Sequence, residues 1–433
     1  MDKLIEEYRS FLDKGKTERE CVEEIVKQAT AAGYKDITTV KSLHAGDKVY
    51  ATKMGKSIAL FYIGTRGIEE GMHILGAHID SPRLDIKQNP VYEKDGVVYL
   101  NTHYYGGIKK YQWLTLPLAI HGKVFLKDGS CINLVVGEDK DDPVFCISDI
   151  LPHIAQAQMK KTAGEFIDGE DLDLILGAYD GKDTGKLAIL DILKRDYKIE
   201  EADFQSAEIE VVPAGAARYS GFGRNLILAY GQDDRVCSFA SLKAMLELEA
   251  PEYTASCILV DKEEIGSVGA TGMHSHFYDN SVAEVVSRME EPSELKVRRC
   301  LANSHMLSSD VNAAFDPLNA DLYDKQNSSS LAAGVVFNKY TGSRGKGGAS
   351  DANPEYIAQL RRVMDDHKVK YQFAELAKVD VGGGGTIAYM AAAFGMEVID
   401  CGVPVLSMHA PWELTSTEDI HQAYNAYKAF FTL

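Results

Sequence analysis

The chain has no pair of cysteines at the C-x-x-C spacing, and its 7 cysteines form an odd set. Several of them lie in apolar stretches, as in "ASCILV" (255–260) and "VIDCGV" (398–403). Buried, isolated thiols of this kind are typical of a reducing compartment. The cysteine pattern therefore counts against a disulfide framework and against a zinc site built from thiolates.

Basic residues are outnumbered by acidic ones: 46 Lys and Arg stand against 64 Asp and Glu, which gives a formal net charge of −18. Nucleic acids and anionic membranes select basic surfaces, so neither is expected as a partner. No apolar run reaches membrane-spanning length. The first segment, "MDKLIEEYRSFLDKGK", is charged and lacks the apolar core of a signal peptide. These features predict a soluble, cytoplasmic protein.

With 433 residues, the chain is longer than a single hydrophobic core usually grows. Strand and helix patterns alternate before residue 90 and after residue 230, which predicts a mainly parallel sheet flanked by helices. Between them, "VYEKDGVVYL" and "KVFLKDGSCINLVVGE" carry Asp-Gly between apolar arms, a β-hairpin signal. We predict an α/β domain (1–90 and 230–433) interrupted by a β-rich second domain (91–229).

Two capping boxes mark helices near the chain ends. Thr17 and Glu20 predict the start of the second helix, and Thr415 and Glu418 predict the start of the last one.

Five polar clusters follow apolar runs at points where a strand gives way to a loop. They are "GAHIDSPR" (76–83), "GQDDRVCS" (231–238), "VDKEEIGSVGA" (260–270), "SSDVNAAF" (308–315) and "LSMHAPWE" (406–413). Sites in open α/β sheets form outside the carboxyl ends of the strands. Taken alone, His78-x-Asp80 is typical of a capped strand end; together, the clusters predict a shared site containing His78, Glu263 and His409.

The residue types in these clusters suit a pair of divalent cations. Two ions about 3.5–4 Å apart need a bridging carboxylate and mixed nitrogen and oxygen ligands. Imidazole with carboxylate favours zinc, with manganese or cobalt as alternatives. In the Glu263-Glu264 doublet, one carboxylate can bind metal while the other takes a proton from an activated water. Asp80 would accept the N–H of His78 and fix its tautomer. This chemistry fits hydrolysis of an amide bond.

These motifs, with "YYGG" (104–107) and "FNKY" (337–340), resemble the aspartyl and vacuolar-type aminopeptidases, a family of dizinc metallopeptidases. The resemblance covers essentially the whole chain and implies a zinc-exopeptidase-like fold. It also implies five metal ligands: His78 and Asp310 on one zinc, Glu264 and His409 on the other, and Asp234 between them. By the same resemblance, Glu263 is the general base and Asp80 orients His78.

The resemblance also implies a role for the inserted domain. The family uses a histidine from this domain in a neighbouring subunit's active site, and "ILPHIAQAQ" (150–158) makes His153 that carbonyl or transition-state stabiliser. The alternative is a helix with a packed histidine. Family members assemble as dodecamers through this domain, so we expect a homo-oligomer.

The chain departs from the family pattern in places. The bridging aspartate lies in Gln-Asp-Asp-Arg where the family has Arg-Leu-Asp-Asn, which makes Asp233 a rival to Asp234. The segments "IKKYQWLTLPLAIHGKV" and "VDVGGGGT" also differ, and both belong to regions that shape the substrate pocket. The family's preference for acidic residues is therefore not carried over.

The predicted function is that of a metallo-aminopeptidase, which removes the N-terminal residue from peptides with a free N-terminus. One alternative is a dinuclear metal carboxypeptidase or amidohydrolase that uses the same ions on another substrate. The other is a non-catalytic peptide-binding or assembly protein of the same fold. An intact ligand set with a spare base counts against that last hypothesis.

Overall fold

The computed structural model describes residues 2–181 and 184–433. The chain divides into two compact units. Unit 1 comprises Met1–Asp80, Ala217–Met408 and Glu413–Leu433, and unit 2 comprises Ser81–Ala216 and His409–Trp412. The predicted insert was 91–229, whereas unit 2 begins at Ser81 and its main segment ends at Ala216.

The α-helices vary from one to four turns in length. They are α1 (Lys3–Lys14), α2 (Glu18–Ala31), α3 (Thr184–Ile192), α4 (Gln232–Leu246), α5 (Phe277–Met289), α6 (Glu294–Ala302), α7 (Pro354–Asp366), α8 (Ala388–Ala392) and α9 (Thr417–Phe430). Among the residues described, no helix combines the length and the apolar character that crossing a membrane requires.

The β-strands occur in both units. They are β1 (Lys35–Asp36), β2 (Lys48–Lys53), β3 (Ser57–Tyr62), β4 (Met72–His78), β5 (Arg83–Lys94), β6 (Val97–Tyr105), β7 (Leu118–Phe125), β8 (Cys131–Val136), β9 (Leu174–Ala178), β10 (Ala207–Pro213), β11 (Arg218–Ser220), β12 (Leu226–Ala229), β13 (Thr254–Val260), β14 (His305–Ser308), β15 (Asn312–Ala313), β16 (Val335–Asn338), β17 (Gly342–Ser343), β18 (Tyr371–Phe373), β19 (Gly383–Gly384), β20 (Glu397–Gly402), β21 (Pro404–Leu406) and β22 (Glu413–Ser416).

Unit 1 is built on a nine-stranded sheet with the order β1-β2-β3-β13-β4-β14-β20-β16-β18. The central strands β13, β4, β14 and β20 run parallel, and β3 and β16 pair antiparallel at either side of them. A smaller sheet has the order β11-β12-β22-β21-β15. The predicted α/β fold with a mainly parallel sheet is confirmed.

Helices cover both faces of the large sheet, and this explains the sequence of its central strand. Every residue of β4 is buried. Leu75 and Ala77 pack into one core cluster with α1, α2, α4 and α9, while Met72 and Ile74 pack into the other cluster with α5 and α6. A strand buried on both faces is mostly apolar. The exceptions in β4 are His73 near its start and His78 at its carboxyl end.

Unit 2 contains a six-stranded antiparallel sheet with the order β8-β7-β10-β5-β6-β9. The two predicted hairpins, β5–β6 and β7–β8, are both present. Asp95 (φ 50°) and Gly96 (φ 80°) form the first turn, where positive φ angles match the twist of the paired strands.

Of the two predicted capping boxes, only the first is present. The Thr17 side chain accepts a hydrogen bond from the backbone of Glu20 at the start of α2, so this prediction is confirmed. The prediction at Thr415 was wrong, because Thr415 belongs to β22 and donates its hydroxyl proton to the Pro404 carbonyl at 2.8 Å. Ser416 caps α9 instead and accepts from the backbone N–H of Asp419.

Candidate metal centre

Three neighbouring parallel strands of unit 1 end at the same edge of the sheet. His78 is the last residue of β4, and its Cα pairs with that of Val260 at the end of β13. Glu263 and Glu264 follow β13 in a single helical turn, and Asp310 follows β14, the strand on the other side of β4. The sheet register therefore brings these side chains together from three separate stretches of sequence.

The two adjacent aspartates come from the start of α4. Asp233 (φ −78°, ψ 109°) and Asp234 (φ −113°, ψ 27°) are not helical, so their side chains point in different directions. Asp233 Oδ1 lies 3.3 Å from His78 Nε2. Asp234 Oδ2 accepts the backbone N–H of His78 at 3.3 Å, and Asp234 is fully buried.

Potential ligand atoms from six residues form three overlapping groups, each with all its atoms within 4.8 Å of one another. The groups are His78 with Glu263 and Asp310, His78 with Asp233 and Glu264, and Asp233 with Asp234 and Asp310. The donors are one imidazole and several carboxylates, which is the donor chemistry that divalent zinc, manganese and cobalt accept. The residues present therefore fit a metal site.

Asp80 contacts both the histidine and the glutamate loop. Its Oδ1 lies 3.3 Å from His78 Nδ1 and accepts the backbone N–H of Glu263 at 3.1 Å. Its Oδ2 accepts the backbone N–H of Glu264 at 3.2 Å. His78 Nδ1 also lies 3.1 Å from the backbone carbonyl oxygen of Asp80. One fully buried residue thus contacts the His78 ring and accepts both N–H groups of the glutamate doublet.

The electrostatics of this cluster favour a bound cation. Burial raises the pKa of Asp310 well above its usual range, and the charge of Asp234 raises it further. Burial likewise raises the pKa of Asp234, with a further contribution from Asp233. Burial alone would lower the pKa of His78, but its contacts with Asp233 and Asp80 raise it well above the ordinary value. Buried carboxylates that crowd together in this way are stabilised by positive charge.

Gly402, at the end of β20, lies against the backbone of Asp310. A Cβ atom on Gly402 would lie 1.7 Å from the Asp310 carbonyl oxygen, far closer than two atoms can approach. The backbone of "DCGV" therefore touches the backbone of Asp310 directly, and a side chain at Gly402 would displace this residue from the cluster.

The two remaining predicted site histidines belong to unit 2. His409 (φ 65°) has its Nδ1 3.0 Å from the carbonyl oxygen of Gly107, the last residue of "YYGG". His153 is exposed, in a single 3₁₀ turn formed by Pro152–Ile154. Both histidines remain predicted members of the site.

One buried acid next to the cluster was missed by the sequence analysis. Glu413 Oε2 accepts the backbone N–H of Asp233 at 3.0 Å, and the Glu413 side chain is buried. Glu413 is the last residue of "LSMHAPWE", so its place in a motif was visible. Its partner is 180 positions away along the chain, and no local pattern indicates that contact.

The family model described as "Aminopeptidase I zinc metalloprotease (M18)" matches residues 11–431. The probable M18 family aminopeptidase 1 of Clostridium acetobutylicum is 54% identical over 436 residues, which cover 99% of this chain and 94% of that protein. The probable M18 family aminopeptidase 1 of Thermotoga maritima is 42% identical and covers 98% of this chain and 94% of its own length.

Solved structures agree with these matches. The M18 aminopeptidase from Thermotoga maritima superposes with a TM-score of 0.95 at 42% identity and covers 98% of this chain and 95% of its own. Aminopeptidase I from Clostridium acetobutylicum gives a TM-score of 0.92 at 52% identity, with coverages of 98% and 94%. The mApe1 dodecamer of S. cerevisiae, at 21% identity and a TM-score of 0.80, covers 99% and 96% and shares the fold.

These matches confirm the resemblance that the five motifs predicted, and they support the aminopeptidase function over the carboxypeptidase, amidohydrolase and non-catalytic alternatives. The chain belongs to the M18 family of zinc metalloproteases and is an aminopeptidase.

Proposed function

We propose that this aminopeptidase uses two divalent cations, with zinc as the native metal. His78 and Asp310 would bind one ion, and Glu264 and His409 the other, as the motif resemblance implies. The observation that carries the proposal is the convergence of one imidazole and five buried or half-buried carboxylates at one sheet edge. The description of the family as a zinc metalloprotease supports the choice of zinc over manganese or cobalt.

For the bridging ligand, we favour Asp233 in place of the sequence-predicted Asp234. Asp233 is grouped with Glu264 and also with Asp310, the ligands proposed for the two different ions, as a carboxylate shared by both ions would be. Asp234 belongs to one group, and one of its oxygens accepts the backbone N–H of His78. Asp234 therefore fits a role in holding the end of β4.

Replacing each aspartate with asparagine distinguishes the two assignments. Asp233→Asn is expected to lower the bound metal below two equivalents per chain. Turnover should fall by more than the roughly 10–100-fold that is typical when a residue hydrogen-bonded to a metal ligand is lost. Asp234→Asn can still accept the N–H of His78 and should keep both ions. Metal analysis after gel filtration, with peptide turnover measured on the same samples, gives the comparison. If Asp234→Asn loses metal while Asp233→Asn keeps both ions, Asp234 is the bridging ligand.

The proposed reaction is attack of water on the carbonyl of the first peptide bond. The chemistry that bound divalent ions would supply is a water with its pKa lowered from 15.7 towards about 7. Glu263 would take the proton from this water at its carboxylate and deliver it to the leaving amine. Asp80 supports this role because it accepts the Glu263 backbone N–H and so limits the movement of the base. His153 would stabilise the oxyanion.

The acidic character of the cluster also supports recognition of a free N-terminus. A substrate ammonium group placed among these carboxylates gains a buried charge pair that a blocked N-terminus cannot form. The substrates are therefore proposed to be peptides with a free α-amine.

A pair of peptides that differ only in N-terminal acetylation tests the proposed function. Loss of one partner of a buried charge pair costs about 2–5 kcal/mol, so kcat/KM for the acetylated peptide should fall at least roughly 30-fold. Product masses should show removal of the first residue of the free peptide. Equal rates for both peptides, or release of the last residue, would contradict the proposal.

The proposed assembly is a cytoplasmic homo-oligomer, with the dodecamer of the yeast relative as its model. Unit 2 would provide the oligomer contacts. Supporting this, Ile150, Leu151 and Ile154 beside His153 are 42%, 51% and 64% exposed. Neighbouring exposed apolar residues are typical of protein contact surfaces. In such an assembly His153 would serve the active site of a neighbouring subunit.

A further inference from the structure

Glu413 is a buried carboxylate to which the proposed reaction gives no role. It is the first residue of β22 and only 1% of it is exposed. A charged side chain withdrawn from water is costly unless hydrogen bonds compensate it. Here the compensation includes the backbone N–H of Asp233, which donates to Glu413 Oε2 at 3.0 Å.

The backbone of Glu413 is itself held by buried polar groups. Gln232 Nε2 donates to the carbonyl oxygen of Glu413 at 2.6 Å and to that of Ile227 at 3.1 Å. Tyr8, on α1, donates its hydroxyl proton to Gln232 Oε1 at 3.0 Å. The pairing of β22 with β12 places Glu413 opposite Ala229, just before the start of α4. A continuous set of buried hydrogen bonds therefore joins α1, β22 and the start of α4.

The hydrogen bond from Asp233 to Glu413 lies at the start of α4, where backbone N–H groups need acceptors from outside the helix. The first N–H groups of a helix have no acceptor within the helix, and Asp233 lies in this first turn with non-helical angles. A negative charge is also favourable at a helix N-terminus. The Glu413 carboxylate thus satisfies an N–H group of the residue whose own side chain faces His78 Nε2 at 3.3 Å.

We propose that Glu413 is a positioning residue of the metal centre, whose carboxylate holds the backbone of Asp233 so that the Asp233 side chain faces the ions. The inference rests on the proposed function, because it requires Asp233 to bind metal. Glu413 itself acts only through the backbone of Asp233.

Three substitutions at Glu413 separate hydrogen bonding from charge. Glu413→Gln keeps an acceptor of the same length and removes the charge. Glu413→Asp keeps the charge but withdraws it by one methylene group, and Glu413→Ala removes the acceptor. The purified protein is stripped of metal and titrated with Co²⁺, whose visible absorption band reports the coordination. Circular dichroism of the metal-free protein establishes that each variant is folded.

The expected result is a rise of about 10–100-fold in the Co²⁺ dissociation constant for Glu413→Ala and Glu413→Asp. This range is typical for loss of a residue that supports a metal ligand without binding the metal. The band of the bound ion should also change in shape. Glu413→Gln should stay within roughly threefold of the parent, because the acceptor remains. If Glu413→Ala does not fold, Glu413→Asp provides the same comparison with a smaller disturbance of packing.

Unchanged Co²⁺ affinity and band shape in a folded Glu413→Asp or Glu413→Ala protein would overturn the inference. An equal loss of affinity in Glu413→Gln would also overturn it, since charge rather than the hydrogen bond would then matter. His78→Ala, titrated in parallel, tests the underlying site. If His78→Ala also binds Co²⁺ like the parent, the proposed metal site fails; if only the Glu413 variants do, this inference alone fails.

Discussion

Replacing Glu263 with glutamine is expected to leave both ions bound and to lower kcat by about 10²–10⁴-fold, the usual contribution of a general acid–base group. Glutamine has nearly the same shape, and the backbone N–H of residue 263 would still donate to Asp80. The amide side chain cannot accept the proton of the attacking water or deliver it to the leaving amine. The loss should therefore appear in kcat, with the metal content unchanged.

Glu264→Gln is the matched control for this experiment, because the same change is made one residue away on a proposed ligand. It should lower the metal content, whereas Glu263→Gln should not. Steady-state kinetics and metal analysis on the same preparations give both readouts. A Glu263→Gln protein with parental kcat would show that the proton-transfer role is wrong, and one that loses metal would make Glu263 a ligand.

Removing the imidazole of His78 is expected to abolish stable metal binding. The ring lies 3.3 Å from Asp233 and 4.0 Å from Asp310, and it is the one imidazole in a described cluster of carboxylates. His78→Ala would leave these carboxylates without an imidazole ligand. Turnover should fall by more than the roughly 10–100-fold that is typical when a residue hydrogen-bonded to a metal ligand is lost.

His276→Ala provides the control for a generic effect of losing a histidine. His276 also contacts an aspartate, with Nδ1 2.9 Å from Asp279 Oδ2, but it is exposed and lies outside the metal groups. It should keep parental metal content and activity. Parental metal content in His78→Ala would remove His78 from the site and with it the proposed ligand arrangement.

The sequence was sufficient for features that depend on local patterns. The α2 capping box at Thr17 and Glu20 and the Asp-Gly hairpins of unit 2 follow from the geometry of a few consecutive residues. The strand ends that carry His78 and Glu263 were also predictable, because polar residues interrupt buried apolar runs there.

Features that depend on distant pairing were not predictable. Thr415 and Glu418 have the spacing of a capping box, but pairing of β22 with β12 and β21 keeps Thr415 in a strand. Adjacent Asp233 and Asp234 cannot be told apart by a motif, since their different directions arise from non-helical backbone angles at the start of α4. Glu413 became visible only through its contact with Asp233.

The metal content of the purified aminopeptidase tests the central proposal most directly. Mass spectrometry of the metals, with protein measured by amino-acid analysis, should give about two equivalents of divalent ion per chain for the active enzyme, as a two-metal site requires. His78→Ala should fall well below that ratio. Full peptide turnover with one ion or none per chain, or an unchanged ratio in His78→Ala, would contradict the account.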